Sequence, residues 1–290
     1  MKVSIITINY NNRAGLERTM QSVLSQTVYD DIEYIVVDGA STDGSVEVLK
    51  QYESLLSFAI SEPDSGIYNA MNKGVKRAAG DYCLFLNSGD VLHDDKVIED
   101  CIPYLGGEDF VMGKIMFFPS KRLGWFDITA PITMMDFYKG GPVPHQATFI
   151  RRSLFQECLY DESLKIVSDW KFFLWMIVFQ KKTYVIVDNI VADFEEFGIS
   201  SNRYRCDIER KKVLEQILPP AILLDYMRFE NGKEYTDDNY NKFFVELRKY
   251  CPKMAVLVYK VALHATKFLA RFKPSLAFSE KFGTRGLDWK

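Results

Sequence analysis

The chain has 290 residues, 48% of them hydrophobic and 26% charged, which suits one large domain, or a domain with an appendage, and excludes a disordered polymer. A formal net charge of −3 argues against an obligate nucleic-acid binder. The five cysteines, at 83, 101, 158, 206 and 251, make neither a C-x-x-C pair nor a zinc spacing, which points to buried thiols in a reducing, cytoplasmic setting.

Met1 to Ile8 is too short for a signal-peptide core, and no run of about 18 apolar residues predicts a spanning helix. Val3 to Ile8 is β-branched and reads as a first strand, followed by the turn former Asn9-Tyr10-Asn11-Asn12. Leu16, Met20, Val23 and Leu24 then fall on one helical face. Ile32 to Val37 is a second strand that ends at Asp38-Gly39-Ala40-Ser41-Thr42-Asp43-Gly44-Ser45, and a short helix follows through Val46, Leu49 and Tyr52. Ser57 to Ser61 is a third strand, Glu62 to Gly66 a loop, and Ile67, Met71, Val75 and Ala78 mark the next helix. The uninterrupted run Tyr82 to Leu86 predicts a strand buried on both faces, stopped by Asn87-Ser88-Gly89-Asp90. Alternating strands and helices predict right-handed crossovers in a mainly parallel sheet.

Polar residues stand after each strand: Asn9 and Asn12, Asp38, Asp64, then Asn87 and Asp90. The carboxyl ends of parallel strands share one sheet edge, so these loops are expected to meet at one cleft. Asp90, with Asn87, is the candidate for a divalent cation and, through it, a diphosphate. Asp38 can accept from a base or ribose, or it can cap its own turn. Asn69, Asn72 and Lys73 lie early on the third helix, where Asn72 and Lys73 can reach ribose and phosphate or form a solvated face. Neither G-x-G-x-x-G after the first strand nor a P-loop is present, which lowers the case for dinucleotide or P-loop chemistry.

Beyond Asp94 the spacing predicts a helix over Val97 to Leu105 and strands over Asp109 to Phe118, Ala147 to Ile150 and Thr183 to Asp188. The Gly/Pro-rich loop before His145 and Gln146 can line an acceptor pocket. Ser168 is a candidate N-cap, and Asp169 opens an apolar helix through Phe179, where a carboxylate can serve as a general base or as a plain cap. The loop from Phe197 to Arg203, with Ser200 and Arg203, can form a lid over phosphates. Ile208 to Leu218, Ala221 to Glu230 and Asp237 to Tyr250 read as helices. A last helix over residues 253–273 carries Lys260, His264, Lys267 and Arg271 on one stripe and no acid; it suits a membrane surface, a dimer contact or simple packing on the body.

Taken together, Ile6 to Asn12, Val36 to Ser45, Glu62 to Gly74, Ala79 to Tyr82 and Leu86 to Asp90 resemble the inverting glycosyltransferases of family 2, and within them the exopolysaccharide and colanic-acid type. The resemblance is dense over residues 3–95, thinner over 140–200 and absent beyond about 205. It implies a GT-A fold, a mixed α/β sheet flanked by helices, over residues 1–204 with a helical extension over 205–290. It also implies a nucleotide-sugar donor of the UDP or GDP type and a divalent cation, manganese or magnesium. Under it the donor-site candidates are Thr7, Asn9, Tyr10, Asn12, Asp38, Asp64, Asn69, Lys73, Asn87, Ser88 and Gly89, and Asp169 stands where the family places its catalytic base. Family members typically carry D-x-D-D in the metal loop; here Asn87 and Gly89 replace the first two acids, so Asp90 is the one charged oxygen donor, and His145 is a candidate extra ligand.

The expected activity is transfer of a sugar to a hydroxyl of a saccharide acceptor, lipid-linked in one reading, during cell-surface polysaccharide synthesis at the inner membrane face. The rival readings are a non-catalytic nucleotide-sugar-binding subunit, suggested by the depleted metal loop, and a nucleotidyltransferase. The latter would carry a Gly-rich basic loop after the first strand, which Asn9 to Arg13 does not supply.

Overall fold

The computed structural model describes residues 1–124, 131–141, 143–196, 198 and 202–230. Ser200 and the basic stripe over 253–273 lie outside these residues, as do the helix expected over Asp237 to Tyr250 and Cys251. The chain divides into two compact units, Met1–Pro219 and Pro220–Lys290; of the second, α9 (Pro220–Glu230) is described.

The first unit begins as the alternation predicted. β1 (Val3–Asn9), α1 (Arg13–Leu24), β2 (Ile32–Asp38), α2 (Ser45–Tyr52), β3 (Phe58–Ser61), α3 (Ile67–Arg77) and β4 (Tyr82–Phe85) follow one another. β1 pairs in parallel with β2 and β4, and β2 with β3. Every residue of β1 and β4 is buried, as uninterrupted apolar runs covered on both faces require. α3 lies close on β1 because residue 74 is glycine: a Cβ there would come within 2.4 Å of Ile6 Cγ2.

The second half turns the sheet mixed. β5 (Val91–Leu92), α4 (Val97–Cys101), β6 (Phe110–Phe118), β7 (Arg122–Leu123), α5 (Met134–Tyr138), β8 (Thr148–Arg151), α6 (Leu154–Glu157), α7 (Ser168–Phe173), β9 (Tyr184–Glu195) and α8 (Arg203–Ile217) complete it. The strand order is β3-β2-β1-β4-β8-β6-β9-β5, with β7 on β6. β8 runs antiparallel to β4 and β6, while β9 runs parallel to β6 and antiparallel to β5. This is the mixed α/β sheet with flanking helices that the resemblance implies.

Several elements depart from their expected bounds. The helix over Val97 ends at Cys101 and tightens into a 3-10 turn at Ile102–Tyr104, around Pro103. The last long strand continues past Asp188 to Glu195, because register shifts opposite Gly113 let Asp188 and Asn189 pass without ending the pairing with β6. Ser168 is not the N-cap of α7. Val167 holds that place, and the Ser168 hydroxyl accepts from the Asp161 backbone N–H at 2.6 Å. α7 runs on as a π-helical turn, Leu174–Phe179, whose Trp175 and Phe179 are partly exposed rather than buried all round. Cys83, Cys101 and Cys206 are buried, Cys158 is half-buried, and all four are thiols.

Candidate active site

The loops after β1, β2, β3 and β4 do converge. They form one side of a cleft of about 930 Å³, closed on the other side by the turn at His145–Ala147, the start of α7, the end of β9 and Cys206 and Arg210 of α8. Asn9, Tyr10, Asn12, Asp64, Asn87, Ser88 and Asp90 face it from the first half of the chain. His145, Gln146 and Asp169 face it from the second.

Asp169 is held from two sides. Its Oδ1 lies 2.8 Å from the Tyr68 hydroxyl and its Oδ2 2.7 Å from His145 Nδ1. The Tyr68 proton is shared between Asp169 and the Ile166 carbonyl, 2.5 Å away. Burial alone would raise the Asp169 carboxyl, but the donors from His145 and Tyr68 and the Trp170 backbone N–H more than offset it, so the group stays below its ordinary value and ionised. Behind it the rings of Tyr68, Phe85, Phe155, Tyr160 and Phe172 pack against one another, with Phe155 and Phe172 stacked at 4.9 Å. This packing fixes the helix that carries the acid. His145 reaches onward: its Nε2 lies 3.3 Å from Asn87 Nδ2, so both ring nitrogens are engaged and one imidazole joins Asp169 to the loop after β4.

That loop is pinned by Thr19, which the sequence reading passed over. Its hydroxyl lies 2.7 Å from the Asp90 carbonyl and accepts from the Gly89 N–H at 3.0 Å. The Asn12 amide donates to the Ser88 carbonyl at 3.0 Å while its oxygen caps α1 through Gly15 N–H, so Asn12 shapes the cleft wall as well as lining it. Asp90 is almost fully buried, and its Oδ1 accepts the Glu195 backbone N–H at 3.0 Å. Burial pushes its carboxyl up to about 7, opposed by that N–H, by the nearby His145 and by the Gln146 side chain. The Asn87 Oδ1 is buried with no hydrogen-bond partner. An orphaned amide oxygen and a carboxylate lining one cleft are hard-oxygen donors, the type that suits a magnesium or manganese ion completed by phosphate and water.

Other expected site residues lie elsewhere. Thr7 is fully buried, its hydroxyl 3.1 Å from Tyr34 OH in the core. Asp38 is also fully buried and is absent from the cleft wall. Its two oxygens accept from Asn9 Nδ2, the Ser41 hydroxyl and N–H, and the Ser61 hydroxyl, at 2.6–2.9 Å. Desolvation raises this carboxyl, but the four donors outweigh it and hold it below the ordinary range. Asp38 therefore ties the ends of β1, β2 and β3 together, and Asn9, whose Oδ1 is buried and unpaired, is what the cleft sees of that network. Asn69 donates to Glu162, and Lys73 pairs with Glu62 and the Pro63 carbonyl, each at 2.7–2.8 Å, so Lys73 does not reach the cleft. Arg203 opens α8 on the surface.

Two cleft residues were not anticipated. Arg210, about two turns into α8, lies over the Trp170 ring at 5.9 Å, and its Nε is buried without a partner. Glu195 ends β9 beside Gly89 and meets Arg18 at 3.3 Å. The strand was expected to stop seven residues earlier, which hid Glu195; Arg210 is one of five basic residues of α8, and residue type alone does not single it out.

Comparison with known proteins agrees with this architecture. Residues 4–159 match the profile of Glycosyl transferase family 2. A relative of Mycobacterium tuberculosis (strain H37Rv), the uncharacterized glycosyltransferase Rv1514c, is 34% identical over 205 residues, covering 69% of this chain and 78% of its own. TuaG of Bacillus subtilis (strain 168), named as a candidate teichuronic acid biosynthesis glycosyltransferase, is 42% identical over 98 residues, 33% of this chain and 38% of its own. Among solved structures, Staphylococcus aureus TarS 1-349 in complex with UDP-GlcNAc superposes with a TM-score of 0.60 at 19% identity, over 85% of this chain and 76% of that one. The likeness to TarS is one of fold, and that fold is GT-A. With the profile spanning more than half of its length and a relative at 34% identity, the chain belongs to glycosyl transferase family 2 and is a glycosyltransferase.

Proposed function

We propose that the protein transfers a sugar, with inversion, from a UDP- or GDP-linked donor to a hydroxyl of a saccharide acceptor in cell-surface polysaccharide synthesis. The observation that carries this reading is the sharing of one cleft by Asp169 and Asp90, with His145 between them. An ionised, oriented carboxylate and a phosphate-binding loop on the same cleft are the two halves of a displacement at an anomeric carbon.

In this mechanism the acceptor hydroxyl approaches Asp169, which takes its proton as the new bond to the anomeric carbon forms. The bond from that carbon to the diphosphate breaks on the opposite face, and the nucleoside diphosphate leaves with the electron pair. His145 and Tyr68 keep Asp169 ionised before the transfer and fix its direction. Tyr10, 68% exposed at the rim, offers a ring for the base, and Asn9 offers its unpaired oxygen beneath. Arg210 faces the cleft with a guanidinium suited to phosphate oxygens. A divalent cation held at Asp90 would supply Lewis-acid stabilisation of the charge growing on the diphosphate. The cell-surface acceptor is supported by the name of TuaG, a relative over a third of the chain. Among the described residues no helix is long and apolar enough to cross a membrane.

A thermal-shift panel of UDP- and GDP-sugars, with and without manganese, identifies the donor. Turnover of that donor is then compared with Asp169→Asn, which keeps the shape of the side chain and loses the base. Transfer is expected to fall on the order of 10²–10⁴-fold with donor binding kept. Undiminished transfer by the variant removes Asp169 from the role.

A further inference from the structure

The loop after β4 carries one carboxylate, Asp90, and a glycine where a second acid would stand. Gly89 has φ of 110°, and a Cβ built on it would lie 2.1 Å from Glu195 Oε2 and 3.2 Å from Glu195 Cδ. The Glu195 carboxylate thus fills the volume in which any side chain of residue 89 would begin. It is delivered there by backbone pairing: β9 runs antiparallel to β5 with Val91 opposite Asp193, and the Glu195 N–H donates to Asp90 Oδ1 at 3.0 Å. Asn87, with its unpartnered buried Oδ1, lines the same cleft as Asp90 and Glu195. The competing partner is Arg18, which meets Oε1 at 3.3 Å with both side chains more than a third exposed, so that pair holds the acid weakly.

We propose that Glu195 supplies the carboxylate missing at position 89, so that Asp90 and Glu195 together hold the divalent cation. The inference rests on the donor reading above. Two carboxylates and an amide oxygen, completed by phosphate and water, make an all-oxygen set for magnesium or manganese. A strand-borne acid here stands in for one that the loop itself lacks, which explains how a depleted motif keeps a cation site.

The test is calorimetric titration of the full chain with Mn²⁺ in the presence of UDP, then GDP, for the wild type, Glu195→Gln and Arg18→Ala. Glu195→Gln is expected to weaken Mn²⁺ binding on the order of tenfold or more, since loss of even an outer-shell partner costs that much. Its thermal midpoint and metal-free nucleotide binding should not change. Arg18→Ala should bind Mn²⁺ at least as well as the wild type, because it frees Glu195. Equal Mn²⁺ affinity in Glu195→Gln and wild type, in an enzyme that turns over its donor, overturns this inference alone. So does an equal loss in Arg18→Ala, which would mean that Glu195 acts through its ion pair. A wild type that turns over no nucleotide sugar overturns the donor reading and this one with it.

Discussion

His145 Nδ1 and Asp169 Oδ2 stand 2.7 Å apart, each largely shielded from solvent, and the pair meets the first half of the chain through Asn87 and Tyr68. Since this contact and the Tyr68 hydroxyl hold the Asp169 carboxyl down, removing either raises it. His145→Gln should therefore move the acid limb of kcat/KM to higher pH, and Tyr68→Phe should move it in the same direction. The measurement is kcat/KM against pH for the three proteins. A limb that stays in place while the rate falls uniformly would show that His145 serves only to build the pocket.

Thr19 is a test of the loop rather than of the chemistry. Thr19→Val keeps the shape and removes the group that meets the Gly89 N–H and the Asp90 carbonyl. The stability loss should be about 1–3 kcal/mol, the range for a buried group left unpaired, and donor affinity should fall with it. Urea unfolding with donor titration reads both. Full stability would mean that the loop is held without this bond.

Asp38 governs stability in acid. Its folded pKa lies below the ordinary value, so the charged network stabilises the protein above about pH 4, and that contribution disappears as pH falls through the folded value. Asp38→Asn should cost roughly 2–4 kcal/mol at pH 7, because four donors meet one acceptor oxygen and an amide N–H₂. The gap between the two proteins should narrow at pH 3 and below. Denaturant melts at both pH values decide; a constant gap would assign the effect to shape instead of charge.

Arg210 is the cation that the cleft presents where Lys73 and Arg203 do not. Arg210→Ala should weaken binding of UDP or GDP on the order of tenfold, the size of one charge-assisted hydrogen bond, and Arg210→Lys should restore part of it. Calorimetry on the three proteins is the check. Unchanged nucleotide affinity would move Arg210 to the acceptor side of the cleft.

The first four strands and three helices could be read from residue type because period and turn chemistry agreed over the whole stretch to Phe85. The polar clusters at the strand ends were visible for the same reason. What the pattern did not carry was rotation about each element. Thr7 sits on the strand face that meets Tyr34, and Lys73 sits on the helix face that meets Glu62, so each lost the role its position suggested. Asp38 was in the right loop but turned inward to four donors. Glu195 was hidden by Asp188 and Asn189, two polar residues that end a strand by composition but are absorbed here by the register shift opposite Gly113.

The family profile matches residues 4–159, yet the carboxylate proposed as the base lies at 169, the acid beside Gly89 at 195 and the cleft guanidinium at 210. β9, which brings the second of these, enters the sheet between β6 and β5, two strands made long before it. The cleft is thus assembled from segments far apart in the chain, and a fragment ending at residue 159 would lack the last three of its charged side chains.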